Sequence, residues 1–281
     1  MSAAPTSTVR MRDAAARRRR PVGSWLLPTY VTVAFLILLI PIVYTFAFSF
    51  NDANRSNISW NGFTLENWMT VCAQPEVCVA FGNSLLVGAV STLIATTLGT
   101  MIALALVRYR FRARSAISLL LFLPMATPEV VMGSSLLTLF LMMGVPSGGL
   151  AITIAHIMFC VSFVVVAVKA RVATLDPRLE EAAADLGANP AQTFLRVTFP
   201  LAAPGILAGA LLAFSLSFDD YIITNFNASP SSITFPMYVW GAAQRGAPVQ
   251  VNVIGTLMFL IALIVVVLGQ VLSNRRERAR A

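Results

Sequence analysis

Glu181-Ala-Ala-Ala-Asp-Leu-Gly187, followed by Val197-Thr-Phe-Pro200, is a compact polar stretch set between two long apolar runs. Its local chemistry predicts helices. Asp176 suits an N-cap, with Pro177 at the first helical position. Glu180 and Glu181 fall early in that helix, where the dipole favours carboxylates. Ala182 and Ala183 continue it, and Gly187 suits a left-handed C-terminal stop. Asn189-Pro190-Ala191-Gln192 reads as a capping box that opens a second short helix. Two short helices at a membrane surface make a knob that can insert into another protein.

The flanking runs set the class. The chain has 281 residues, 57% hydrophobic and 11% charged, a balance foreign to ordinary soluble domains. A run of about 20 apolar residues crosses a bilayer. Six such runs occur, at roughly 24–50, 80–107, 115–142, 149–170, 201–225 and 251–272. The span at 149–170 is the shortest. The first run is too long for a signal-peptide core, and no small-x-small cleavage site follows it. Only helices or closed barrels satisfy the backbone in lipid, so the chain is expected to be all-α, in one transmembrane domain.

Charge predicts orientation. Lys and Arg stay on the cytoplasmic side of short loops. Six arginines precede the first span, among them Arg17 to Arg20. Groups of four follow the second, fourth and sixth spans: Arg108 to Arg114, Lys169 to Arg196, and Arg275 to Arg280. Together they hold 18 of the 20 basic residues, and only Arg55 and Arg245 fall in the alternate loops. Both termini are expected inside. An arginine block also fits nucleic acid, but beside a membrane span retention is the plainer reading. The expected organisation is a disordered basic terminus at 1–23, a transmembrane body at 24–272 whose polar loop is 171–200, and a basic tail at 273–281. Cys72 and Cys78 share an external loop, where either a disulfide or two free thiols fit. Cys160 reads as inert packing. Trp60, Phe63 and Trp68 are candidates for laying the 51–79 loop on the membrane interface.

Several chemistries have no residues to support them. Lys169 is the only lysine and stands in no Gly-x-x-x-x-Gly-Lys motif, so no P-loop exists here. His156 is the only histidine. It reads as a packed neutral side chain, and no metal site is expected. No nucleophile–base pair assembles in the sequence.

Acidic residues inside spans are costly in lipid and point to function. Glu129 follows Pro128 in the middle of the third span, and Pro124 with Pro128 should break that helix. Either Glu129 lines a pathway or it hydrogen-bonds to unwound backbone. Asp219 and Asp220 lie near the outer end of the fifth span. Either one faces the pathway, or both cap the helix end in water. Carboxylates without basic residues in the spans favour a cation. Tyr221, Tyr238 and Trp240 are candidate cation–π faces.

The loop residues Glu181, Ala182, Ala183, Gly187, Val197 and Pro200 resemble the cytoplasmic docking loop of ABC importer permeases, with Phe199 in place of the usual Leu. Ser217-Phe-Asp-Asp220, Pro128-Glu-Val-Val-Met132 and Phe235-Pro-Met-Tyr-Val-Trp240 are similar to the permeases of spermidine/putrescine-type importers. The resemblance implies a type I importer fold with six transmembrane helices and cytoplasmic coupling helices, in a bacterial plasma membrane. It implies a transport subunit, not an enzyme, that binds no cofactor itself. ATP and Mg would sit on a partner ATPase dimer. A second permease and an extracytoplasmic binding protein would complete the assembly. It implies coupling roles for Asp176, Glu180, Glu181, Ala182, Ala183, Gly187 and Pro200, and a substrate path past Glu129, Asp219, Asp220, Tyr221, Tyr238 and Trp240. The cargo would be a small cation, a polyamine. Other cargo in the same family, such as iron or a thiamine-like solute, a stand-alone secondary transporter, and a structural membrane scaffold are the competing readings.

Overall fold

The structure, a computed structural model, describes residues 23–53 and 57–278. The arginine run Arg17 to Arg20, Arg55 and all of the expected N-terminal segment but Gly23 lie outside those residues. In chain order the helices are α1 (Gly23–Phe48), α2 (Glu66–Met69), α3 (Pro75–Arg108), α4 (Arg114–Ala126), α5 (Glu129–Met142), α6 (Gly149–Val172), α7 (Arg178–Asp185), α8 (Pro190–Thr193), α9 (Phe199–Asp219), α10 (Ile222–Asn227), α11 (Phe235–Arg245) and α12 (Val249–Arg278). A π-helical turn, Phe194–Thr198, joins α8 to α9. No β-strand occurs among the described residues.

Five helices are long and apolar enough to cross a membrane: α1, α3, α6, the run Pro190–Asp219, and α12. The one remaining expected span, the third, is α4 with α5, bent by 111° at their junction. Pro128 supplies the cause. It biases Thr127 away from helical dihedrals and has no N–H to donate. Thr127 and Pro128 are both extended, with ψ of 134° and 133°. The fifth span also departs from expectation, stopping at Asp219 instead of running to 225. The last expected external loop holds a helix, α11. The final helix runs past the expected end at 272, to Arg278.

The core is the contact of α6 with α3 and α9. The span expected at 149–170 was the shortest by sequence, yet it is the most enclosed. Ala155, Cys160, Val164 and Val168 on α6 are wholly buried, with Ala95 and Ala103 of α3 and Ala213 of α9 against them. Lipid is as apolar as Leu, so helices associate here through close packing of small residues. Gly99 of α3 makes this concrete: a Cβ there would stand 2.7 Å from Val164 Cγ1. By contrast, α1 packs on α12 and leaves its apolar length bare, with Leu38 71% and Tyr30 72% exposed. Such a surface suits lipid or another apolar helix.

The 51–79 loop is folded. Asn51 is fully buried and donates to Asn57 Oδ1 at 2.6 Å and to the Ser59 carbonyl at 2.7 Å. Phe50 stacks on Phe63 and on Trp68. Trp60 and Phe63 are exposed, as an interfacial role requires. Trp68 is instead partly covered by Phe50. Cys72 and Cys78 are bonded to each other.

Gly99→Leu is expected to lower stability by about 1–3 kcal/mol, the cost of overpacking a tight contact. Thermal unfolding in detergent measures this. Gly82→Leu, where nothing lies within 4 Å of an added Cβ, should leave the transition where it is.

Candidate functional site

Two interruptions of helix meet at one cavity. The first is the Thr127–Pro128 break. It places Glu129 not in mid-helix, as the sequence suggested, but at the first residue of α5. There the exposed carboxylate sits on the positive end of a helix dipole. The second follows α9. Asp220 turns extended with ψ of 123°, and α10 begins after Tyr221. Both breaks border a cavity of about 330 Å³ lined by Glu129, Asp219, Asp220 and Tyr221, with Phe159 and Leu216 among its apolar walls. Tyr221 lies against Trp240, ring centroids 5.2 Å apart. Unwound backbone at membrane depth is tolerated where protein or a cavity surrounds it.

Tyr238 does not join this group. It borders a separate cavity of about 430 Å³ with Glu76 and Arg245, and its hydroxyl donates to Gln74 Oε1 at 3.3 Å. Burial, with the Glu76 carboxylate adding to it, pushes its phenol above the ordinary range.

The neighbouring aspartates diverge. Asp219 is exposed, whereas Asp220 is buried. Asp220 Oδ1 accepts from the Thr224 amide at 2.8 Å and hydroxyl at 3.0 Å, and Oδ2 from the Ile223 amide at 3.4 Å. It caps α10, but inside the protein and not in water. The same carboxylate lies 3.3 Å from His156 Nε2. The lone histidine is packed, as expected, and it also has an ionisable partner. No local pattern reveals that pairing, because its members stand on different helices far apart in the chain. No cluster of three or more metal-ligating side chains occurs among the described residues.

The polar loop forms the two short helices its sequence predicts. The Asp176 carboxylate accepts from the Arg178 amide at 3.0 Å. Pro177 occupies the cap position, so α7 opens one residue later than expected. Gly187 has φ of +83°. The Ala188 amide donates to the Ala183 carbonyl and the Gly187 amide to the Ala184 carbonyl, a paired closure of the helix end. The Asn189–Gln192 capping box is complete, with bonds of 2.9 and 3.0 Å. Pro200 acts one turn earlier than its own position. Its ring opposes the carbonyl four residues back, and the Phe199 amide reaches Phe194 in a π turn.

The adjacent glutamates also part. Glu180 turns inward, its Oε1 accepting from Arg108 Nε at 3.1 Å and Nη2 at 3.0 Å, and from Thr198 Oγ1 at 2.9 Å. Glu181 and Ala182 face outward with Leu186, which is 90% exposed. The knob therefore has an anchored face and a bare face.

Comparison with known proteins gives the fold and family context. Residues 95–278 match a family model described as "binding-protein-dependent transport system inner membrane component". The chain is 34% identical over 257 residues to the spermidine/putrescine transport system permease protein PotC of Escherichia coli K12, covering 92% of this chain and 97% of that protein. It is 34% identical over 255 residues to the putrescine transport system permease protein PotI of the same strain, covering 88% and 90%. Among solved structures, a chain of a bacterial ABC transporter involved in import of the acidic polysaccharide alginate superposes with a TM-score of 0.69 at 17% identity, covering 90% of this chain and 97% of that one.

Glu180→Leu is expected to free α7 from the end of α3. Amide exchange across Leu179–Leu186 should accelerate roughly fivefold, the equivalent of about 1 kcal/mol for a partly exposed ion pair. The outward Glu181→Gln should change it less than about twofold.

Proposed function

Because this chain belongs to the family of binding-protein-dependent transport system inner membrane components, we propose that it moves a polyamine of the spermidine or putrescine kind through the cavity between its two helix breaks. As a family member it is the membrane permease subunit of an ABC importer, a transport component and not an enzyme. One observation carries the cargo assignment: Glu129, Asp219 and Tyr221, whose ring is backed by Trp240, converge on a single cavity at interrupted helices. A flexible polycation suits that set. Carboxylates hold ammonium groups, and aromatic faces add cation–π attraction. The relatives' stated cargoes point the same way.

In this reading residues 171–200 face the cytoplasm with both termini, and the membrane is the bacterial inner membrane. The distribution of arginines supports that orientation. The bare face of α7, with Glu181 and Leu186, meets an ATPase dimer that carries the ATP and Mg. Asp176, Gly187 and the Asn189 capping box shape the knob, and Pro200 opens the helix leading from it. A second permease covers the exposed apolar helices, and an extracytoplasmic binding protein delivers cargo to the opposite end. Closure of the ATPases then rocks the helices and changes which side the cavity opens to.

Uptake by the reconstituted complex tests the cargo path. Glu129→Gln with Asp219→Asn should lower spermidine uptake about a hundredfold, two charged contacts at roughly 1.4 kcal/mol each, while the subunits still co-purify. Unchanged uptake would remove the cavity from the pathway. Stimulation of ATP hydrolysis by iron- or thiamine-loaded binding protein, and not by the spermidine-loaded form, would reassign the cargo. Glu181→Lys should abolish uptake in the assembled complex, by placing an opposite charge on the docking face.

A further inference from the structure

His156 is 1% exposed on α6, the most enclosed helix. Its two ring nitrogens reach different helices. Nδ1 lies 2.7 Å from Ser217 Oγ on α9, which lies 2.9 Å from Ser91 Oγ on α3. Nε2 lies 3.0 Å from Thr224 Oγ1 on α10 and 3.3 Å from Asp220 Oδ1 at the break. The imidazole joins α6 to α9 and α10, and Ser217 extends the cluster to α3, at the point where α9 gives way to α10.

Every polar atom of this cluster finds a partner in either protonation state. With neutral imidazole, Nε2–H donates to Asp220 and the Ser217 hydroxyl donates to Nδ1. With imidazolium, Nδ1–H donates to Ser217, and Ser217 donates to Ser91. The Ser91 hydroxyl has the Val87 carbonyl at 2.6 Å. Partnering of this kind makes a polar group tolerable in an apolar core, and it also gives the core one preferred arrangement.

We propose that His156 is the positioning residue of the cavity: by holding Asp220 inside the protein, it sets the break so that Asp219 and Tyr221 face the cavity. Asp219 and Asp220 are adjacent and chemically alike, yet one is exposed and the other buried. Both border the cavity, and the direction of the Asp220 carboxylate decides how far Asp219 is offered to cargo. Without the imidazole, Asp220 keeps only hydroxyl and amide partners. Its charge then favours turning toward water, which rotates Asp219 away. The proposal rests on the reading of this cavity as the cargo path.

Thiol labelling separates the two. Cys160 is buried and Cys72 is bonded to Cys78, so background reactivity is low. Asp219→Cys and Tyr221→Cys are each introduced into the full complex in membranes, with His156 intact or replaced by Leu. A small cationic methanethiosulfonate is the probe. His156→Leu should change the ratio of labelling rates at 219 and 221 about tenfold, the loss of one charge-assisted hydrogen bond. His156→Gln, which keeps a donor at this site, should restore the ratio to within about twofold. With the native residues at 219 and 221, His156→Leu should raise KM for spermidine about tenfold and change maximal uptake less than about threefold. A purely structural histidine would lower assembly and maximal uptake while leaving the labelling ratio unchanged, and that result overturns the proposal. A shifted ratio with unaltered uptake leaves the positioning role standing and overturns the cavity as cargo path. Where His156→Leu fails to assemble, Ser217→Ala with Thr224→Val removes the hydroxyls of the same cluster and is read by the same ratio.

Discussion

Lipid offers a bare peptide group no hydrogen-bond partner, and the two breaks within the spanning segments are arranged around that fact. The helix breaks at 127–128 and 220–221 are the places where a spanning segment gives up its own ladder. Both border the same cavity. At the second break a side chain takes over the work of the backbone, because Asp220 accepts from the Ile223 and Thr224 amides that begin α10. At the first, α5 restarts with a carboxylate on its opening residue. At the second break the two tasks are divided between neighbours: Asp220 satisfies the freed amides, and Asp219 stays exposed at the cavity.

A second consequence concerns how displacement travels. The run Pro190–Asp219 is continuous, so the knob's second helix and the edge of the cavity lie on one element. That element is tied to α3 near both ends. At the knob, Glu180 bridges Arg108 of α3 to Thr198 of the π turn. Toward the cavity, Ser217 meets Ser91 of α3 and His156 of α6. In the coupling proposed above, a push on α7 moves α9 as a rod or is taken up in the π turn, where the hydrogen-bond ladder already departs from regular helix.

Much of this was legible in the sequence, for identifiable reasons. The knob was readable because caps are local: Gly187 and the Asn189–Gln192 box act within a few residues. The break before Glu129 was readable because proline acts on its own neighbours. What stayed hidden depends on tertiary geometry. Glu180 and Glu181 look equivalent in the chain, and only the position of Arg108 separates them. Tyr238 and Trp240 are two residues apart, yet only Trp240 reaches Tyr221. The end of the fifth span was misplaced because Tyr221, Ile222 and Ile223 continue the apolar run past Asp219, and the buried capping by Asp220 stops the helix there. His156 gave no signal at all beyond being the only one of its kind.

The two carboxylates left free at the cavity are not equal, and their helices account for the difference. Glu129 sits on the opening turn of α5, where the positive end of the dipole offsets part of its charge. Asp219 closes α9, where the last carbonyls add to its negative field. For the polycation proposed here, Asp219 is then the stronger attractor and Glu129 the weaker. A graded pair holds successive ammonium groups without trapping either, which is what passage requires: binding favourable enough to enter and weak enough to leave. The asymmetry comes from helix polarity and not from residue type. It would persist if Glu129 and Asp219 exchanged identities, shrink if one break healed into continuous helix, and vanish only if both did.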